Sequence, residues 1–193
     1  MRARIIATLG VAALLAGCGG PGSETSRTAP EVAPAPRPAP ISGASGLGEP
    51  LRSDAQILGV LAAFEQNEID LARQAIARGV GGRSEDFARG MLRDHERALA
   101  ETQQRGAEES EQSRAFRARG QATTASTGME DDANSYRNAF LKAAVADYAD
   151  VLKTMDAQWL PAAQSEETRT YLTATRRRLA DAFERAQAAV STR

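Results

Sequence analysis

Residues 65–96, EQNEIDLARQAIARGVGGRSEDFARGMLRDHE, decide the fold of this 193-residue chain. Apolar side chains recur at helical spacing on both sides of residues 79–82, which contain three glycines. An apolar period near 3.6 residues indicates an amphipathic helix, and clustered glycines indicate a turn. The stretch is therefore predicted to be a hairpin of two antiparallel helices that share one apolar interface.

Both helices of this hairpin carry the usual signals of helix boundaries. The first helix is predicted to begin after Ser53 or Asp54 and to end before the glycines. The second is predicted to begin at Ser84, with Glu85 and Asp86 in its first turn. Short polar caps and acidic first turns are typical of helix starts, because they satisfy free backbone N–H groups and the positive end of the helix dipole.

Two further helices are predicted in the C-terminal part of the chain. One runs from about Glu130 to Gln158, with its apolar side chains on one face, and Pro161 is expected to break it. The other opens at Ser165, which is followed by two glutamates.

The intervening residues 101–128 carry few large apolar side chains beyond Phe116. This segment is predicted to extend the second helix in part and otherwise to form a long connection. No alternating apolar pattern long enough for a strand follows residue 50. Four helices of similar length, each with one apolar face, predict an all-α fold, a four-helix bundle with a closed core.

The N-terminus has the pattern of a secretory signal. Residues 1–18, MRARIIATLGVAALLAGC, combine two arginines, a short apolar run and small residues before Cys18. The ending LAGC resembles the lipobox of bacterial lipoproteins, which implies removal of residues 1–17 and attachment of lipid, palmitate included, to Cys18. By the same resemblance, Gly19 in place of an aspartate favours the outer membrane, facing the periplasm. The alternative is an ordinary signal with an incidental cysteine.

Composition divides the rest of the chain into two parts. Residues 18–50 hold seven of the eight prolines and hardly any bulky apolar side chains, which predicts a lipidated cysteine followed by a disordered tether. Residues 51–193 fit one domain. Cys18 is the only cysteine, so its lipidation would exclude disulfides and thiol catalysis. A net charge of −1 implies no nucleic-acid partner.

The hairpin carries a set of residues that can be compared with known families: Glu68-Ile69, Leu71-Ala72, Phe87-Ala88, Met91 and Asp94-His95. In these residues it resembles the bacterial DUF4142 family, a ferritin-like group of exported proteins of unknown function. The likeness extends from Asp54 to Glu101 and is weaker across the second half of the chain. Members of the family usually keep further histidines in the two C-terminal helices, where this chain aligns Asp147 and Ala182.

The helical pattern also predicts an inner layer of polar residues. Glu68 lies thirteen positions before Gly81, and His95, the only histidine, lies thirteen positions after Gly82. In an antiparallel hairpin these side chains are expected at one height, about 20 Å from the turn. Glu65 and Asp147 also fall within the apolar arcs of their helices. A buried carboxylate needs a partner, so a Glu68–His95 hydrogen bond is predicted.

The same four residues allow a metal-binding alternative. Ferritin-like di-metal sites use Glu-x-x-His pairs, which this chain lacks, so at most one weakly held ion is expected on Glu65, Glu68, His95 and Asp147. Met91 lies one turn before His95 and would suit copper(I), although core filling explains it more simply. No other cofactor and no catalytic residue is predicted, because the sequence shows neither a second histidine nor a phosphate-binding loop.

Two functions of different class follow from these features. The first is a non-catalytic module, anchored to the membrane by lipid, that binds another envelope protein or supports the envelope. The second is a degenerate ferritin-like protein that uses Glu68 and His95 to bind one metal for redox or storage. An exposed apolar patch would favour the first function, and convergent side chains would favour the second.

Overall fold

The computed structural model describes residues 51–191, and these form an all-helical bundle, as predicted. The predicted signal, lipidation site and tether at residues 1–50 lie outside the described residues. We number the long helices α1 to α5 in chain order. They are α1 (Asp54–Ala77), α2 (Gly82–Gln104), α3 (Glu111–Gly128), α4 (Ala133–Thr154) and α5 (Glu166–Ser191). None of the described helices is long and apolar enough to cross a membrane.

The predicted α1–α2 hairpin is confirmed. Ser53 caps α1 by accepting a hydrogen bond from the Gln56 N–H at 3.2 Å. Gly79, Gly81 and Gly82 all have positive φ angles, which only glycine adopts without strain, so the chain reverses at this point. Helix α2 begins at Gly82, two residues before the predicted start.

Helix α3 corrects the predicted long connection. Residues 111–128 are helical, and Ser110 and Ser113 form a reciprocal capping box at the start. This helix packs along α1, where the Asn67 amide donates to the Phe116 carbonyl at 2.9 Å. Its buried residues are mostly small or polar, so no apolar stripe marked it in the sequence. These buried residues are Gln112, Ser113, Phe116 and Thr127.

The C-terminal half departs from the predicted break at Pro161. After α4 the chain makes a π-helical turn, Met155–Trp159, and remains helical through residues 160–162. The Leu160 N–H bonds to the Met155 carbonyl, five residues back, and Trp159 is buried. Backbone direction changes only at Ala163, whose ψ is 124°. The proline therefore lies in the last helical turn rather than at its boundary.

The first turn of α1 is tied to the start of α5. The two oxygens of the Asp54 carboxylate accept from the backbone N–H groups of Gln164 (2.7 Å) and Ser165 (2.9 Å). Ser165 in turn accepts from the Thr168 N–H at 3.1 Å, as predicted for a helix start. In the bundle, α1 packs against α2, α3 and α4, while α5 packs against α4 and α2. Helix α1 is thus the central helix of the bundle.

Candidate functional site

Three buried polar side chains form a continuous hydrogen-bonded row in the core. Nδ1 of His95 on α2 bonds to Oε2 of Glu65 on α1, and its Nε2 lies 2.7 Å from the Tyr148 hydroxyl on α4. Each of the three residues is at most 3% exposed. Because a carboxylate only accepts, we assign the Nδ1 proton to a hydrogen bond toward Glu65. The row joins three helices at one height.

Aromatic packing fixes the orientation of this row. The imidazole of His95 stacks on the Tyr148 ring, with centroids 5.7 Å apart and planes 21° from parallel. Phe64 lies edge-on to both rings, at 5.7 Å from His95 and 6.2 Å from Tyr148. Such contacts restrict ring rotation, so the hydrogen-bonding atoms stay aligned.

The predicted Glu68–His95 hydrogen bond is wrong, because Glu65 takes that place. Both glutamates lie on the buried face of α1, one turn apart. Equal sequence distance from a turn fixes height only to about one turn, 5.4 Å, so helix crossing decides which of the two reaches the imidazole. Tyr148, the third member of the row, lies on the apolar face of its helix, so helical periodicity does not mark it as a polar site residue. Its hydroxyl, which needs a partner when buried, was the available signal.

Glu68 and Asp147 form a second pair of carboxyl groups close enough to influence each other. Burial raises the pKa of Glu68 well above its usual value, and the charges of Asp147 and Glu65 add to the rise. Burial likewise raises the pKa of Asp147 to about 6, partly opposed by Arg119. The structure thus places Glu65, Glu68 and His95 in the core and leaves Asp147 partly buried beside Glu68. Glu65 rather than Glu68 is paired to the imidazole.

The phenol of Tyr148, the third member of the row, stays protonated. Burial raises the pKa of its phenol well above the ordinary value, and the nearby Glu68 and Glu65 raise it further. The phenol therefore keeps its proton over the range in which proteins are stable. With that proton the phenol can donate a hydrogen bond to Nε2 of a neutral imidazole. Hydrogen-bond donation in the row then runs from Tyr148 to His95 and from His95 to Glu65.

These residues do not fit a metal ion. Both ring nitrogens of His95 are already occupied by protein partners. Within residues 51–191, no three or more histidine, cysteine, aspartate or glutamate side chains are arranged to hold a metal. Met91 is buried one turn from His95. A metal would require the imidazole to give up one of its two hydrogen bonds.

An open cleft of about 590 Å³ lies between α2 and α5, directly over this polar row. Glu65, His95 and Tyr148 line its base. Its walls are mainly apolar. The cleft exists because small residues on α5 leave space opposite α2. Ala182, the position at which the family resemblance implies a histidine, is one of them. The wall residues include Phe87, Met91, Ala98, Leu179, Ala182 and Ala189.

Two ion pairs bridge the mouth of the cleft. Arg178 on α5 bonds to Glu101 on α2 at 3.0 Å, and Arg185 lies 3.3 Å from Asp94. The pairs are seven residues apart on each helix and run in opposite directions, so α2 and α5 are antiparallel here. All four side chains are between 41% and 56% exposed. Exposed pairs of this kind contribute at most about 1 kcal/mol each.

Comparison with known proteins places the chain in a family without assigning it an activity. No curated protein and no solved structure matches the chain. One family model matches residues 39–189, which is most of the sequence, and its description is "Domain of unknown function (DUF4142)". The resemblance first noted on the hairpin is thereby confirmed, and the chain belongs to the DUF4142 family.

Proposed function

We propose that this protein is a lipid-anchored module of the outer membrane, facing the periplasm, which acts by binding rather than by catalysis. The anchor is the lipidated Cys18, and the binding site is the cleft between α2 and α5. The signal-like N-terminus supports the first part of the proposal. The cleft over the Glu65–His95–Tyr148 row carries the second.

The state of the buried row supports a non-catalytic role. A general base needs a ring nitrogen free to take a proton from a substrate. Here His95 is held on both nitrogens by side chains of the protein itself. A nucleophilic tyrosine would need a pKa below its usual value, whereas burial raises the pKa of Tyr148. The row therefore serves as the rigid polar base of a binding site.

The described surface favours a concave site over a flat protein interface. Met129, 80% exposed, is the only large hydrophobic side chain that is exposed among residues 51–191. The described residues therefore show one exposed large hydrophobic side chain rather than the cluster expected for docking of an envelope protein. The cleft has the size and the mixture of apolar walls and few polar groups that small-molecule sites show. A small ligand is thus the better supported occupant.

The anchor is tested by growing cells with radiolabelled palmitate and recovering the protein from membranes. The parent chain should carry label, and Cys18→Ser should not. A matched control places the only cysteine eight residues further on, as Cys18→Ser with Ser26→Cys, and should also stay unlabelled. Label on this control would show acylation unrelated to the lipobox and would overturn the anchor.

The cleft is tested by filling it. Ala182→Phe places a ring between α2 and α5, whereas Ala174→Phe places the same ring on an exposed position of α5. Native mass spectrometry of the full chain, incubated with a small-molecule library, should show ligands on the parent and on Ala174→Phe but not on Ala182→Phe. Equal ligand retention by Ala182→Phe would show that binding occurs elsewhere.

A further inference from the structure

The base of the cleft contains a carboxylate that is only half satisfied. Oε2 of Glu65 accepts from His95, but Oε1 is fully buried and has no hydrogen-bond partner among the described residues. A buried acceptor without a partner destabilises the structure, and does so more strongly when it is charged. Glu65 lines the cleft, so a ligand held there can supply the missing donor.

Charge at the rim decides which kind of donor is suitable. Arg83, Arg97, Arg178 and Arg185 border the cleft together with Asp86, Asp94 and Asp181. Glu101, the ion-pair partner of Arg178, adds a fourth negative charge. The rim therefore carries four charges of each sign and attracts neither anions nor cations strongly. What distinguishes the base is the oxygen of Glu65 left unpartnered by residues 51–191, which can only be satisfied by a hydrogen-bond donor.

The walls determine what the rest of the ligand must be. Met91 and Leu179 face the cleft from opposite helices, and Phe87 presents an aromatic ring at one side. Such surfaces favour an apolar or aromatic body over a sugar or a phosphate. The two requirements combine in one class of molecule, an apolar body that carries a positively charged hydrogen-bond donor.

We propose that the cleft binds a small organic amine, with its ammonium group donating to Oε1 of Glu65 and its apolar body between Met91 and Leu179. This inference rests on the proposed function, because it names the ligand class of the same cleft. A charge-assisted hydrogen bond to a buried carboxylate is roughly twice as strong as a neutral one. The head group should therefore determine which of two ligands with the same apolar body binds more tightly.

The test uses three probes that share one body and differ in head group: 2-phenylethylamine, 2-phenylethanol and 3-phenylpropanoate. The full chain is purified from membranes in detergent, and each probe is titrated. His95 is the only histidine, so its imidazole resonances in NMR report on the base of the cleft without overlap. We expect the amine to shift these resonances and to bind at least about tenfold more tightly than the alcohol, with the acid weakest.

The variant Glu65→Gln tests the acceptor itself. It removes the charge but keeps the size of the side chain, so the advantage of the amine over the alcohol should fall to less than about threefold. Glu184→Gln removes a charge from an exposed position of α5 that does not line the cleft and should leave that advantage unchanged. Melting curves of both variants check that they fold, and probe selectivity of the parent tests the inference without any variant.

The outcomes separate the inference from the proposed function. If the parent binds the amine more tightly than the alcohol and Glu65→Gln loses this preference, the result supports both the amine inference and the cleft as a binding site. Binding of the alcohol or the acid at least as tight as the amine, lost in Ala182→Phe, overturns the amine inference and keeps the cleft as a binding site. No shift of the His95 resonances with any of the three probes overturns the amine inference, and the library experiment with Ala182→Phe then decides the cleft by itself.

Discussion

Glu65 and His95 join α1 to α2 by a side-chain hydrogen bond in the centre of the core, while Glu68, one turn further along α1, has a buried oxygen without a partner in the described part of the chain. Two carboxyl groups on one helix face thus have opposite surroundings. Glu65 is held by an imidazole, whereas Glu68 has negative neighbours that favour its protonated form. This difference has consequences for stability that can be measured.

His95→Leu should leave the helical fold intact but lower its stability by about 2–5 kcal/mol, because Glu65 and the Tyr148 hydroxyl both lose a buried partner. Urea unfolding followed by circular dichroism measures the loss. The double variant Glu65→Leu with His95→Leu replaces the pair by apolar groups and should be less destabilised than the sum of its single variants. A stability of His95→Leu that matches the parent across pH would contradict a buried pair.

Tyr148→Phe should cost about 1–2 kcal/mol, since the ring and its stacking on His95 remain while Nε2 loses its partner. Tyr136→Phe on the same helix is the matched control. Its hydroxyl donates to Gln74 at 3.1 Å in a partly buried place, where water can replace the bond. Thermal unfolding should therefore rank Tyr148→Phe as the less stable variant. The reverse order would show that the row contributes little.

Stability should depend on pH through Glu68 and Asp147. Both have a pKa raised by burial, so the folded state binds protons more tightly than the unfolded state. Their contribution is full below the unfolded pKa values, near 4, and is lost as pH rises, through about 6 for Asp147 and further for Glu68. Glu68→Gln removes one such group, so its stability relative to the parent should increase with pH.

The gap in stability, taken as the unfolding free energy of Glu68→Gln minus that of the parent, should rise above about pH 4.5 by up to about 1.4 kcal/mol per pH unit. Denaturant midpoints between pH 4 and 8 give this slope. Glu184→Gln, an exposed position on α5, is the control and should show a constant gap. A constant gap for Glu68→Gln as well would mean that Glu68 is ionised in the folded protein.

Gly120→Ala should destabilise the protein by about 1–3 kcal/mol, because a Cβ atom at this position would lie 2.0 Å from the Asn67 side chain. The same substitution at Gly90 on α2 meets only the end of Arg93 at 3.9 Å and should stabilise the helix by about 0.5–1 kcal/mol. Differential scanning calorimetry gives both values. If α3 packs on α1 as described, Gly120→Ala lowers the melting temperature and Gly90→Ala raises it. Equal changes in the two variants would argue against that packing.

The parts of the fold that the sequence predicts are those in which local and global signals agree. The glycine turn, the Ser53 and Ser165 caps and four apolar faces all appear in the structure. Helix α3 did not appear in the prediction because its buried side chains are serine, glutamine and threonine with one phenylalanine. Such a helix is stabilised by close approach to α1 and by its capping box rather than by an apolar stripe.

The candidate site was predictable in composition but not in pairing. Helical periodicity places Glu65, Glu68, His95 and Asp147 in the core, and the structure places the first three there, with Asp147 partly buried beside Glu68. Which glutamate meets the imidazole depends on helix crossing, which periodicity does not contain. The cleft has no sequence signal either, since it arises from small side chains on α5 opposite α2.

The bond between Asp54 and the start of α5 has a mechanical consequence. Its carboxylate holds the backbone of Gln164 and Ser165, and the Gln164 side chain donates to the Arg52 carbonyl at 2.9 Å. A force applied to the chain ahead of Leu51 is therefore shared by α1 and the α4–α5 corner. Three hydrogen bonds at this junction resist the force together, which should slow forced unfolding relative to a chain held by α1 alone.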